Sequence, residues 1–217
     1  MRKGSVQRIA HLHSDQRGKD HVPATTGLKN AKTLFRKRSY TFQSFLKDFS
    51  YILLNVRSIR DTIRSKRISR RFAERIMLAC TAVNDCIYCA WGHAKWALES
   101  GCTEEEISDI LSLDFERLPR EELVALAFAQ HYAESRGNPS KEAQKTLATY
   151  YGLETSKDIL NYIRMITLGN LLGNTLSAFE SRLKGIPPEK GSLLFEFLVF
   201  SLGGFLLARK YAAEVNT

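Results

Sequence analysis

An all-α fold follows from two features of this 217-residue chain. No stretch alternates apolar and polar residues at the period of two that a half-buried strand requires. From Tyr40 onward nearly every segment carries helix punctuation: Gly101, Gly137, Gly152 and Gly185 stand where helices should stop, and Thr103 and Pro119 where they should start. With 44% hydrophobic and 25% charged residues the composition is that of an ordinary soluble protein. The length suits one domain of about 120 to 150 residues plus extensions.

The charge is uneven. Residues 1 to 70 hold 17 Lys or Arg against 4 Asp or Glu, a net +13, so the remainder must be −4 to give the formal +9 of the whole. Residues 1–38 have little apolar periodicity and read as a basic, disordered extension that is solvated. Its alternative role is contact with an acidic partner, either nucleic acid or anionic lipid. His11, His13 and His21 lie here without a pattern that would gather a metal. The charges at the start are followed by no apolar h-region, so a cytoplasmic protein is expected.

Residues 39–67 form a lead-in, one amphipathic helix or a pair. Phe42, Phe45, Leu46, Phe49, Ile52 and Leu53 recur at steps of three and four and are expected in the core. The opposite face, with Arg57, Arg60, Arg64, Lys66, Arg67 and Arg70, reads as solvated.

The chemistry lies in ERIMLACTAVNDCIYCAWGH, residues 74–93. Glu74 precedes a segment without charge from Ile76 to Asn84, which reads as a helix buried nearly all round. Asn84 or Asp85 can cap a second helix. Cys86, Cys89 and His93 then fall at i, i+3 and i+7, on one stripe about 60° wide. Placed in a first turn, both thiols should be biased toward thiolate by the unpaired N–H groups and the helix dipole. Cys86, nearer the helix start, is expected to be the more accessible sulfur. Cys80 and Cys102 read as small buried hydrophobes.

Gly101 and the capping box Thr103 to Glu106 begin a helix of about ten residues. Pro119 leads into a helix stopped at Gly137, on which His131 reads as structural. KEAQKTLATYYG ends at Gly152, and a long helix runs from there to Gly185 and Pro187-Pro188. Gly169 and Gly173 each cost about 1 kcal/mol in its interior, which a close helix or subunit contact would explain. Ile107 and Ile159 lie in step in two similar hairpins, a faint internal echo. The apolar run 193–208 contains Glu196 and two glycines. Its 16 residues reach only about 24 Å, short of the roughly 30 Å of a bilayer core, so it should bury against the core or a sister subunit.

The order Glu74, Cys86, Tyr88, Cys89, His93 resembles the signature of the alkylhydroperoxidase AhpD-like branch of the carboxymuconolactone decarboxylase family, and the likeness runs roughly from Ile68 to Leu183. The resemblance implies an AhpD-like helical domain over 68–185, with 186–217 as a C-terminal apolar helix and tail. It also implies trimers or hexamers, and a thiol-dependent peroxidase or disulfide oxidoreductase acting on a hydroperoxide with a thiol or dithiol reductant protein. Cys89 would become the sulfenic acid and Cys86 would be proton donor and resolving thiol. Glu74 with His93 would relay protons, and no cofactor or metal would be needed. Many members carry a second His where this chain has Tyr88. Three other readings stay open: a lyase acting on a carboxylated lactone, a structural zinc site from Cys80, Cys86, Cys89 and His93, and a non-enzymatic interaction protein.

Overall fold

The computed structural model describes residues 35–189 and 191–215. The expected extension lies almost wholly in 1–34, outside the described residues, as do His11, His13 and His21. The described part is helical, and its only β-type pairing is an isolated bridge between Phe35 and Pro188. In chain order the helices are α1 (Phe42–Leu54), α2 (Val56–Ser65), α3 (Arg70–Asn84), α4 (Ile87–Glu99), α5 (Glu104–Leu111), α6 (Leu123–Glu134), α7 (Lys141–Leu183), α8 (Leu193–Val199) and α9 (Phe205–Val215). A short 3₁₀ turn, Arg120–Glu122, precedes α6, and a π-type turn, Phe200–Gly204, joins α8 to α9.

Helix α3 is the axis of the bundle, packed by α4, α5, α6 and α7. That position follows from its uncharged second half, since Ile76, Leu78, Ala79, Cys80 and Ala82 are all buried. Ser69 caps its start, accepting from the Phe72 N–H at 3.1 Å. The charges near that end are neutralised across helices. Buried Arg75 donates to Glu106 on α5 at 2.6 Å and to Glu122 at 2.7 Å. The Thr103 to Glu106 capping box of α5 is formed as its residues predict.

Gly152 has φ 75° and ψ 167°, so α7 is two helices across a kink at the expected place. Cys80 and Cys102 are buried, and His131 accepts from the Ser140 N–H at 3.1 Å, a local structural role.

Three elements differ from expectation. The lead-in is a pair of helices broken at Asn55, but α1 buries none of its residues: Phe42 is 53% and Leu53 57% exposed. Its stripe is only partly covered: Phe45 and Phe42 meet Phe195 of α8 at ring distances of 5.2 and 6.0 Å, and Tyr51 lies under Arg164 of α7. Arg67 is not simply solvated; it donates to Asp158 on α7 at 2.6 and 3.0 Å. The run 193–208 is not one helix. Gly203, at φ 134°, breaks it, and Leu194, Leu202 and Leu206 stay exposed. Glu196, the odd charge in that run, is fully buried against Arg182 at 2.5 Å. No helix among the described residues is long and apolar enough to cross a membrane.

Residues 35–40 cross the end of α7. The Tyr40 N–H donates to Thr175 at 2.9 Å, and Asn174 Nδ2 donates to the Arg38 carbonyl at 3.0 Å.

Candidate active site

The site is built at the elbow between α3 and α4. Helix α3 ends at Asn84, Asp85 turns the chain in the left-handed region (φ 56°), and Cys86 caps α4. Two long-range contacts hold the elbow. Lys37 Nζ reaches the Asp85 carbonyl at 3.0 Å and its carboxylate at 3.2 Å, and Asn174 Nδ2 donates to the Asn84 carbonyl at 2.7 Å. The helix therefore starts one or two residues later than expected, with a sulfur as its cap: Cys86 Sγ accepts the Cys89 N–H at 3.3 Å.

Cys86 thus leaves helical phase at φ −90°, ψ 106°, while Cys89 and His93 remain one turn apart on α4. Both sulfurs back onto α7 at Gly173. A Cβ built there would stand 2.5 Å from Cys86 Sγ and 3.5 Å from Cys89 Sγ, so glycine makes room for the pair. The expected close contact at Gly173 is with the cysteines; Gly169 meets nothing within 4 Å.

Accessibility is the reverse of expectation. Cys86 is fully buried, whereas Cys89 is partly exposed and lines a groove. The expected bias of Cys89 toward thiolate is also reversed at rest. Its thiol is held well above the ordinary range, first by its hydrogen bond with Cys86 and then by burial. A cap position favours a negative sulfur only where the N–H groups are free to meet it, and here Cys86 takes the Cys89 N–H.

Glu74 crosses from α3 to meet His93, its Oε2 2.7 Å from Nδ1, both largely buried. A carboxylate on Nδ1 keeps the proton there and leaves Nε2 as the acceptor. The Trp96 ring stands edge-on to His93 at 5.0 Å. Of the four residues picked from the sequence, the structure pairs Glu74 with His93 and sets the two cysteines side by side.

The groove above Cys89 and His93 has a volume of about 680 Å³. Its walls come from α1, α4, α7 and the α8–α9 hairpin. Gly204 lets the hairpin approach, since a Cβ there would lie 2.7 Å from Leu176 Cδ1. Sequence reasoning missed this wall and missed the partners of Tyr88, which donates to Glu180 at 2.5 Å and meets Tyr211 of α9 edge-on at 5.2 Å. Burial, then the Glu180 carboxylate, pushes the Tyr88 phenol up, so it stays a donor. No local signal marks a pair 92 residues apart.

Among the described residues no three His, Cys, Asp or Glu side chains are disposed to hold a metal ion. Cys80 lies 3.4 Å from the Thr167 hydroxyl.

One family model matches part of the chain. Residues 56–130 match the carboxymuconolactone decarboxylase family. The matched segment begins at the start of α2, spans the whole Glu74 to His93 stretch and ends within α6. Gly173, Glu180 and the α8–α9 hairpin, which supply the outer wall of the groove, lie outside the matched segment. Neither a curated protein nor a solved structure matches the chain.

Proposed function

We propose that this chain, whose matched segment supports an AhpD-like or carboxymuconolactone decarboxylase-like function in general, is a thiol-dependent peroxidase. The observation that carries the reading is the Glu74–His93 hydrogen bond of 2.7 Å one helical turn from Cys89, with a second sulfur directly behind. A lactone decarboxylase has no use for two adjoining thiols.

His93 takes the Cys89 proton, and its partner Glu74 stabilises the imidazolium. The thiolate attacks the distal peroxide oxygen; the O–O bond breaks, sulfenic acid forms on Cys89, and the leaving alkoxide takes the imidazolium proton to depart as an alcohol. Cys86 sulfur then attacks Cys89 sulfur, the S–O bond breaks, and water leaves with the Cys86 proton. The two thiols lose two electrons and the peroxide gains them. Because Cys86 is buried, an external dithiol must attack at Cys89 and expel Cys86, the reverse of the order its place in the sequence suggested.

Intact-mass measurement before and after one equivalent of peroxide, without reductant, tests this. The expected result is loss of two hydrogens mapped to Cys86 and Cys89. Glu74→Gln and His93→Gln should slow that oxidation without changing its product. Unchanged mass in the wild type rejects the peroxidase reading.

A further inference from the structure

A hydrogen peroxide molecule would occupy a small fraction of the groove over Cys89. At about 680 Å³ it falls within the roughly 300–1,000 Å³ range of sites that enclose a whole drug-sized ligand. Its walls include Phe45 and Phe49 of α1, Leu172 of α7 and Leu198 of α8. Such walls favour an extended hydrocarbon, whose transfer from water is the main gain, over a small polar peroxide.

The charge of the lining has one sign. No Asp or Glu lines the groove, whereas Lys95 and Lys210 do. Lys95 is held by Glu214 at 3.6 Å. Lys210 has no carboxylate partner among the described residues, and its Nζ stands 5.9 Å over the Trp91 ring at the groove wall. An exposed ammonium at the edge of an apolar trough suits an amphiphile with one negative end.

We propose that the groove binds a long-chain carboxylate, its hydrocarbon along the α1, α7 and α8 walls and its carboxylate on Lys210. The substrate class is then a fatty-acid-type hydroperoxide, with the peroxide carried partway along the chain to Cys89. The chemistry of this step rests on the peroxidase reading; the binding does not.

Both tryptophans of the chain, Trp91 and Trp96, line the groove, so occupancy can be read without a label. The test titrates the full-length protein with palmitate, with hexadecanol and with octanoate while following tryptophan fluorescence. Palmitate should bind tightest of the three. Lys210→Glu should raise the palmitate Kd by about tenfold, the scale of one charge contact and its reversal, and leave hexadecanol unchanged. Leu198→Asp, at a partly exposed wall position, should weaken both, with circular dichroism confirming that each variant folds. No fluorescence change with palmitate overturns the proposal, and so does palmitate affinity unchanged from wild type in both variants. A dimer that buries the groove, dissociated by Leu198→Asp and binding no palmitate in the wild type, overturns it in favour of a second copy. Because palmitate cannot be reduced, inert thiols with intact binding reject the peroxidase and keep the site, while peroxide-reactive thiols with no binding do the opposite.

Discussion

Cys89 is the more accessible of two adjoining sulfurs, and its hydrogen bond with Cys86 is the first cause that raises its thiol. Cys89→Ser should abolish peroxide consumption. Cys86→Ser should react once and stall as a sulfenic acid on Cys89, which dimedone labels and mass spectrometry locates. Dimedone on Cys86 in the Cys89→Ser protein, with none on Cys89 in the other variant, would exchange their roles. The pH dependence has a definite sign. Since the Cys89 thiol is raised, its thiolate fraction grows only as pH climbs past the ordinary thiol range, so iodoacetamide alkylation should speed up there. The first cause of the rise is Cys86, so Cys86→Ser should move that alkylation midpoint to lower pH. A third test concerns the space behind the sulfurs. Gly173→Ala puts a methyl group 2.5 Å from Cys86 Sγ, with fully buried surroundings that have little room to give. We expect a loss of about 1–3 kcal/mol in urea unfolding and a slower disulfide step, while Gly169→Ala, with nothing within 4 Å, should be neutral or mildly stabilising.

At the scale of elements, α2 is joined to α7 by one buried carboxylate. Asp158 accepts from Thr62 at 2.6 Å and from Arg67 at 2.6 and 3.0 Å. Burial alone would raise its carboxyl, but the Arg67 and Thr62 hydrogen bonds outweigh it, and the net position is below the ordinary value. A depressed folded-state pKa means the stabilisation is present at neutral pH, above the unfolded value of about 3.9, and is lost as pH falls through the folded value. Asp158→Asn should therefore be less stable than wild type near neutrality, and the gap should close in acid. Urea midpoints of both proteins across that range check this; a gap that widens in acid contradicts the assignment. The same contact helps hold α2 to the bundle despite its run of arginines, whereas α1 packs on α7 and, through Phe42 and Phe45, on Phe195 of α8.

At the scale of the molecule, apolar surface is left over. Outside the groove, Leu54 is 86%, Leu194 79% and Leu206 69% exposed, on α1 and on the two arms of the C-terminal hairpin. Scattered leucines need no explanation, but a concentration of them beside an exposed aromatic stripe marks an interaction surface. We expect self-association through this outer face in addition to an open groove. Light scattering should give a mass above that of one chain, and Leu194→Glu with Leu206→Glu should lower it without altering palmitate binding. A monomer in detergent-free buffer contradicts this.

The all-α class, the helix ends at Gly101, Gly152 and Gly185, the buried character of α3 and the one-turn spacing of Cys89 and His93 were legible in the residues themselves. Each depends on period, caps and spacing over a few turns, which a helix converts directly into geometry. The depth of each sulfur, the direction of the Cys89 shift, the exposure of α1 and the Tyr88–Glu180 bond were decided by tertiary structure. Burial and hydrogen-bond partnership depend on which distant surface arrives. Cys86 is hidden because α7 crosses behind it at Gly173, and α1 stays exposed on the face turned away from α7 and Phe195.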